Sequence, residues 1–264
     1  MAEDALLYQK AGKTALITLN RPRHKNALDA ALGRELLAAL QAARDDAEVR
    51  SLVLTGAGGD FCSGADLKDD QAPGEKAFAG RNVVLGFHRW FSELMDFEKP
   101  VIAAVDGFAA GAGMSVALAA DFVIATPRAR LVASFARIGL IPDLSLLYLL
   151  PRLVGLARAK EIVFSARQID ADEALAMGLV QAVVPAERLR ETALEYAARF
   201  DQAPTQALGL AKSILNRAFE TDRHALTQLE AAVQSMCGAS DYHAEAVRRF
   251  RSREAPLFTG AARA

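Results

Sequence analysis

Residues 109–125 read AAGAGMSVALAADFVIA, and Asp121 is the one charge among them. A surface position would leave too much apolar area facing water, so the segment belongs to a core. Yet it opens on Gly111, Ala112 and Gly113, which leave the backbone bare where a helix would begin. At a helix start the N–H groups lack internal partners and the dipole adds positive potential. The bare stretch therefore serves either close packing or the approach of a ligand oxygen.

The rest of the chain bounds these options. Its 264 residues suffice for one large domain or a domain with an appendage, and a hydrophobic fraction of 52% provides for a substantial core. The formal net charge of −1 offers no surplus cation to neutralise a phosphate backbone, so no nucleic-acid partner is expected. The run 107–120 is bounded by Asp106 and Asp121 and falls short of the roughly 18 apolar residues that a membrane span needs. The opening MAEDALLYQKAGK carries acids early and no long apolar run, so neither a secretory signal nor a membrane association is expected, and the location is expected to be cytoplasmic. Cys62 and Cys237 make no disulfide framework. His24, His224 and His243 have no clustered partners, so no metal site is expected.

The periodicity predicts a strand over KTALITLN (13–20), broken by RPRHKNAL. Asp29 then caps a helix with Leu32, Leu36, Leu37 and Leu40 on one face. SLVLTG (51–56) reads as a short buried strand. Residues 80–96 read as a helix with Val83, Val84, Phe87, Phe91, Leu94 and Met95 as its stripe, stopped by Pro100. VIAAVDG (101–107), DFVIAT (121–126) and LVASF (131–135) read as further strands, with a short helix from about Ala112 between the first two. Strands returning with helices between them predict an α/β fold of repeated strand–strand–helix units. DADEALAMG reads as a capped helix, LVQAVVP as a strand, and the remainder as helical. A boundary is expected at 200–204, dividing a core (1–200) from a C-terminal helical appendage (201–264).

Two segments share one design, LVLTGAGGDFCSGADL (52–67) and IAAVDGFAAGAGMS (102–115). Each is a buried strand, then a loop of small residues, then a helix start. Both can be tight turns; both can present N–H groups that converge as an oxyanion hole. Neither is a Walker A loop, since no Gly-Lys-Ser/Thr follows, and neither is a dinucleotide fingerprint.

Taken in order, ITLNRPRHKNAL, LVLTGAGGDFCSGADL, KPVIAAVDGFAAGAG and ARLVASFARIGLIPD resemble the enoyl-CoA hydratase/isomerase, or crotonase, superfamily, from about residue 6 to 258 including FRSREAPLF. The resemblance implies a ββα spiral core, an acyl-CoA thioester substrate, no cofactor beyond the coenzyme A that the substrate carries, and a homotrimer or hexamer. It implies oxyanion donors at the N–H groups of Ala65 and Ala112. Ser63, Ala65, Asp66, Leu67 and Lys68 would line the coenzyme A path. Arg23, Lys25 and Ala27 would hold its adenosine end, although a solvated turn is the alternative for Arg23 and Lys25. Phe250 and Arg253 would reach a neighbouring subunit's ligand.

Family hydratases use two glutamates, and those positions match Ser115 and Phe135 here, so hydration by that route is not expected. Asp143, among Leu140, Ile141, Leu144 and Leu146, is the remaining acid. It either caps the following helix or carries a proton, with a pKa raised by apolar surroundings. Family isomerases, including Δ3,Δ2-enoyl-CoA isomerases and the ring-epoxide isomerase of phenylacetate breakdown, carry their single acid at this position. A lone acid suits a 1,3-proton shift through a thioester enolate. Those isomerases usually follow the acid with Gly-Gly, where Ser145 and Leu146 stand here. In 4-chlorobenzoyl-CoA dehalogenase the matching aspartate attacks the ring and a histidine matching His88 activates water, which makes a hydrolytic enzyme the alternative. His88 can also be a helix-edge residue beside Phe87 and Phe91. A third alternative is a non-catalytic binding module of the same fold.

Overall fold

The computed structural model describes residues 4–67 and 77–260. A hairpin comes first, β1 (Leu6–Ala11) against β2 (Thr14–Leu19), in register from Leu6↔Leu19 to Ala11↔Thr14. Helix α1 (Ala30–Asp45) starts where Asp29 accepts a hydrogen bond from the Leu32 N–H at 2.7 Å, and buries Leu32, Leu36 and Leu40. Next come β3 (Ser51–Gly56), α2 (Ala77–Met95), β4 (Val101–Val105), β5 (Phe108–Ala110) and α3 (Ala112–Leu118). Strands β6 (Phe122–Ala125) and β7 (Arg130–Val132) precede α4 (Leu146–Val154) and α5 (Leu156–Ser165). The chain continues through β8 (Gln168–Asp170), α6 (Ala171–Ala176), β9 (Ala182–Val183) and α7 (Leu189–Ala198) to α8 (Thr205–Leu215), α9 (Arg223–Gly238) and α10 (Asp241–Arg251).

The first three strands all enter one sheet, and the later ones are shared between two sheets. The six-stranded sheet runs β1-β2-β3-β4-β6-β9, parallel except for the hairpin, and the small sheet runs β5-β7-β8. This is the α/β spiral, with helices between the strands and further helices gathered at the C-terminus. Both faces of the large sheet are covered, as parallel strands require. Leu16, Val53, Ile102, Ala104 and Ile124 pack under Leu189, Ala193 and Ala197 of α7. Their neighbours Ile17, Leu52, Leu54, Val101 and Ala103 face the main core with α1 and α3. Successive residues thus serve opposite cores, following the two-residue period of a strand.

Two expected strands shorten. LVASF pairs only through Val132, and Ser134–Ile138 winds as a 3-10 turn. LVQAVVP pairs only over Ala182–Val183. The first departure matters because it turns the chain toward Asp143. Helix α8 is bound to the core by an ion pair from Lys212 to Asp121 at 2.8 Å and by the Asn216 side-chain N–H on the Met95 carbonyl at 3.1 Å. Helices α9 and α10 bury no residue. Among the described residues no helix is long and apolar enough to cross a membrane.

Candidate active site

The two small-residue loops lie against each other. The Cys62 N–H donates to the Phe108 carbonyl and the Ala110 N–H to the Cys62 carbonyl, both at 2.9 Å, so the first loop runs parallel beside β5. Two glycines permit this. A Cβ on Gly113 would stand 2.2 Å from the Cys62 carbonyl oxygen. A Cβ on Gly64, whose φ is +103°, would stand 2.9 Å from the Ala110 oxygen and 3.5 Å from the Ala112 nitrogen. The bare backbone therefore serves close packing, and that packing brings Gly64 and Ala65 next to the start of α3.

The N–H directions follow from the neighbouring bonds. Gly64 O accepts from Leu28 N–H and Asp66 N–H donates to Leu28 O, both at 2.8 Å. In such a parallel bridge the middle residue, Ala65, turns its own N–H to the other side. Ala112 opens α3, so its N–H has no partner within the helix.

A third segment closes on the first loop. Ser63 N–H donates to Lys25 O at 2.9 Å and Ser63 Oγ to His24 O at 3.3 Å. Arg21 grips Asp66 at 2.9 Å and Asp29 at 3.0 Å, and also donates to the Ala27 carbonyl. Asn26, wholly buried, donates to Ala57 O at 2.9 Å and Asp60 O at 2.7 Å. Arg23, Lys25, Ala27, Ser63, Ala65 and Asp66 are thereby gathered in one place. Arg23 and Lys25 are exposed, and Lys25 Nζ lies 4.8 Å from the Phe108 ring centroid and 3.7 Å from Asp60. The Asp66 carboxylate is engaged by Arg21. Leu67 is exposed, and Lys68 lies outside the described residues. Phe250, at 85% exposure, touches little of its own chain, and Arg253 is exposed in the turn after α10. The clamp residues Arg21, Asn26 and Asp60 went unread in the sequence; the Asn–Arg–Pro turn around them was their only signal.

Asp143 does not cap α4. That cap is Ser145, and no side chain bonds there. Asp143 Oδ1 is instead buried without a hydrogen-bond partner. Burial pushes the Asp143 carboxyl above the usual carboxylate range, and the charge of His88 and its own backbone N–H pull it partly back. A buried, under-paired acid in a perturbed state is a candidate for proton exchange. His88 is half-buried on α2 and lies edge-on to Phe91 at 6.1 Å. Burial pushes the Cys62 thiol up to about 12, which removes it as a nucleophile. A cavity of about 370 Å³ opens between α1 and α2, lined by Gly33, Leu37, Val83, Phe87 and Trp90. The helical period places His88 on the opposite side of α2 from that cavity.

The model of the family described as enoyl-CoA hydratase/isomerase matches residues 9–261. The chain belongs to the enoyl-CoA hydratase/isomerase family. It is an enzyme of that family, acting on acyl-CoA. The 1,2-epoxyphenylacetyl-CoA isomerase of Escherichia coli K12 is 37% identical to it, over 98% of this chain and 100% of that one. A probable enoyl-CoA hydratase of Rhodobacter capsulatus is 39% identical, over 98% and 100%. The crystal structure of an enoyl-CoA hydratase/isomerase from Cupriavidus metallidurans CH34 superposes with a TM-score of 0.92 at 39% identity, covering 100% of this chain and 99% of the other. The crotonase fold expected from the motifs is the fold observed.

Ser115 and Phe135, where the resemblance places the hydratase glutamates, carry no carboxyl in this chain. Ser115 is wholly buried on α3, and its hydroxyl donates to the Asp143 carbonyl at 3.0 Å. Phe135 is buried in the 3-10 turn at 7% exposure. Leu144 and Ser145, the pair after the acid, both sit in the left-handed region with φ of 43° and 57°. Each such non-glycine residue costs on the order of 1 kcal/mol and persists only where its surroundings hold it. Leu144 is held by burial, at 1% exposure.

Proposed function

We propose that this protein is an acyl-CoA isomerase in which Asp143 carries one proton between two carbons of the acyl chain. The supporting observation is the state of that carboxyl: half-buried, with one oxygen lacking any partner, and titrating above its ordinary range. The thioester carbonyl is placed at the N–H groups of Ala65 and Ala112. The Asp143 carboxylate takes a proton from the carbon beside the thioester, and the electron pair moves onto the carbonyl oxygen as an enolate. Two N–H donors stabilise that oxygen, each worth about 3 kcal/mol in comparable sites. The same carboxyl returns the proton two carbons away, so no water or redox partner is consumed. Arg23, Lys25 and Ala27 take the adenosine end of coenzyme A, and Ser63, Ala65 and Asp66 the path from it. Phe250 and Arg253 reach the ligand of a second copy in a trimer or hexamer.

The test is Asp143→Asn assayed on a 3-enoyl-CoA. The expected result is a fall in kcat of roughly 10³-fold with acyl-CoA binding retained. Undiminished turnover overturns the reading. The 37% identical relative is named for isomerising a ring epoxide, so 1,2-epoxyphenylacetyl-CoA belongs in the same panel.

His88 supports a second reading. Its charge acts on Asp143, so the two side chains could divide nucleophile and base between them in a hydrolysis. Under the isomerase reading His88→Gln changes kcat little. An arylated enzyme trapped by His88→Gln on a halobenzoyl-CoA selects the hydrolytic one. Thermal protection by a thioester that no panel member's turnover accompanies selects a binding module.

A further inference from the structure

Helix α3 carries Ala112 at its first turn and Ser115 one turn on, and every residue of it is buried. The Ser115 hydroxyl spans 28 positions of sequence to donate to the Asp143 carbonyl at 3.0 Å. That carbonyl also accepts from the Leu146 N–H at 3.0 Å, at the first residue of α4, so the Ser115 hydroxyl is the bond that joins it to α3. The loop needs fixing. Leu144 and Ser145 are consecutive non-glycine residues in the left-handed region, and Ser145 makes no side-chain bond at the start of α4. Released from its tether, such a segment relaxes toward ordinary backbone geometry. Residues 138, 140 and 141 just before it are exposed, and the segment is held on that side by the Leu140 N–H on the Phe135 carbonyl at 3.0 Å and by buried Pro142.

We infer that Ser115 is a positioning residue for Asp143, tying the acid's loop to the helix that presents the Ala112 N–H so that both ends of the site move as one body. The inference rests on the proton-carrier reading of Asp143. It gives a physical use to a position where the family's hydratases hold an acid: here the side chain turns back into the protein and holds the other acid's backbone. The hydroxyl transfers no proton to substrate, because it is engaged and wholly buried.

The experiment compares Ser115→Ala, Ser115→Ala with Ser145→Gly, and Asp143→Asn on a 3-enoyl-CoA, each with kcat, KM, the pH profile of kcat/KM and a melting curve. Loss of the tether is expected to lower kcat roughly 10- to 100-fold with KM within about twofold, as misplacements near 1 Å do. The acidic limb of the profile should also move to lower pH, because a loosened carboxyl meets more water and its burial is what holds it high. Among the described residues His88 on α2 is the other titratable side chain acting on that carboxyl, and α3 carries none. The histidine lowers the pKa of that carboxyl, so a carboxyl that moved away from it would shift the limb to higher pH, opposite to the change expected here. Ser145→Gly removes the left-handed penalty at one position and should restore part of kcat. Unchanged kcat and an unmoved limb in Ser115→Ala overturn the inference. So does a fall in kcat that tracks only a lower melting temperature, with the limb fixed and no rescue. Full activity in Asp143→Asn removes the proton-carrier reading itself, whereas an inactive Asp143→Asn beside an unaffected Ser115→Ala removes only the tether.

Discussion

The two loops that meet at the site are held by opposite means. The second, from Gly111 into α3, is fixed by burial: every residue of the helix is inside the core, and Gly113 lies against the Cys62 carbonyl. The first, around Ala65, is fixed by partly buried polar clamps, with Arg21 bridging Asp66 and Asp29 while Ala65 and Leu67 stay exposed. A site built between a rigid wall and a clamped one keeps one donor fixed and lets ligand reach the other. Perturbing the wall should cost folding, and perturbing the clamp should cost binding or catalysis while the fold survives.

Gly113→Ala is the strongest probe of that contrast. Its Cβ would fall 2.2 Å from a backbone oxygen with no flexible neighbour to yield, so a loss above about 4 kcal/mol and little soluble protein are expected. A folded variant with an unchanged melting temperature would break the comparison. Gly64→Ala meets Ala110 O at 2.9 Å and a φ of +103°, but on the clamped side. It should remain folded, lose about 1–2 kcal/mol, and lose activity by roughly 10²-fold as Ala65 shifts. Arg21→Ala removes two partly buried ion pairs at once, so about 1–2 kcal/mol of stability and a rise in KM larger than any fall in kcat are expected from urea melts and steady-state assays.

The smallest effect has the opposite sign. Asp143 has a folded-state pKa above its unfolded value, so its ionisation opposes folding. Below the ordinary carboxylate pKa of about 3.9 both states are protonated and the penalty is absent. As pH rises through the raised folded value, the penalty becomes complete. Asp143→Asn should therefore melt slightly higher than the parent at pH 7 and no higher near pH 3. A lower melting temperature at pH 7 would mean that the charged carboxyl is satisfied after all.

Local chemistry made much of the fold legible. The Asp29 cap, the leucine face of α1 and the buried strands over 51–56 and 101–105 each follow from a few neighbouring residues, and each stands where its pattern places it. The spiral follows from strands alternating with helices. The strand over 131–135 was misread beyond Val132 because its apolar run carries no mark of where pairing stops; the end is set by β8, which meets β7 only from Arg130 to Val132. Hairpin strand β1 escaped because its residues are mostly exposed and alternate poorly.

At the site, sequence alone determined which groups are present: the Asp143 carboxyl, the bare helix start at Ala112, and a serine and a phenylalanine at 115 and 135. Whether Asp143 caps a helix or stands ready to move a proton was not decidable from its neighbours, because a Pro–Asp–Leu–Ser turn suits both. Tertiary structure removed the cap, which is Ser145, left Asp143 Oδ1 buried without a partner, and brought the Ser115 hydroxyl of α3 onto the Asp143 carbonyl. Propensity acts over a few residues, whereas a carboxyl's protonation depends on everything that displaces water around it. That surrounding is assembled here from segments as far apart as 28 positions, and only folding brings them together.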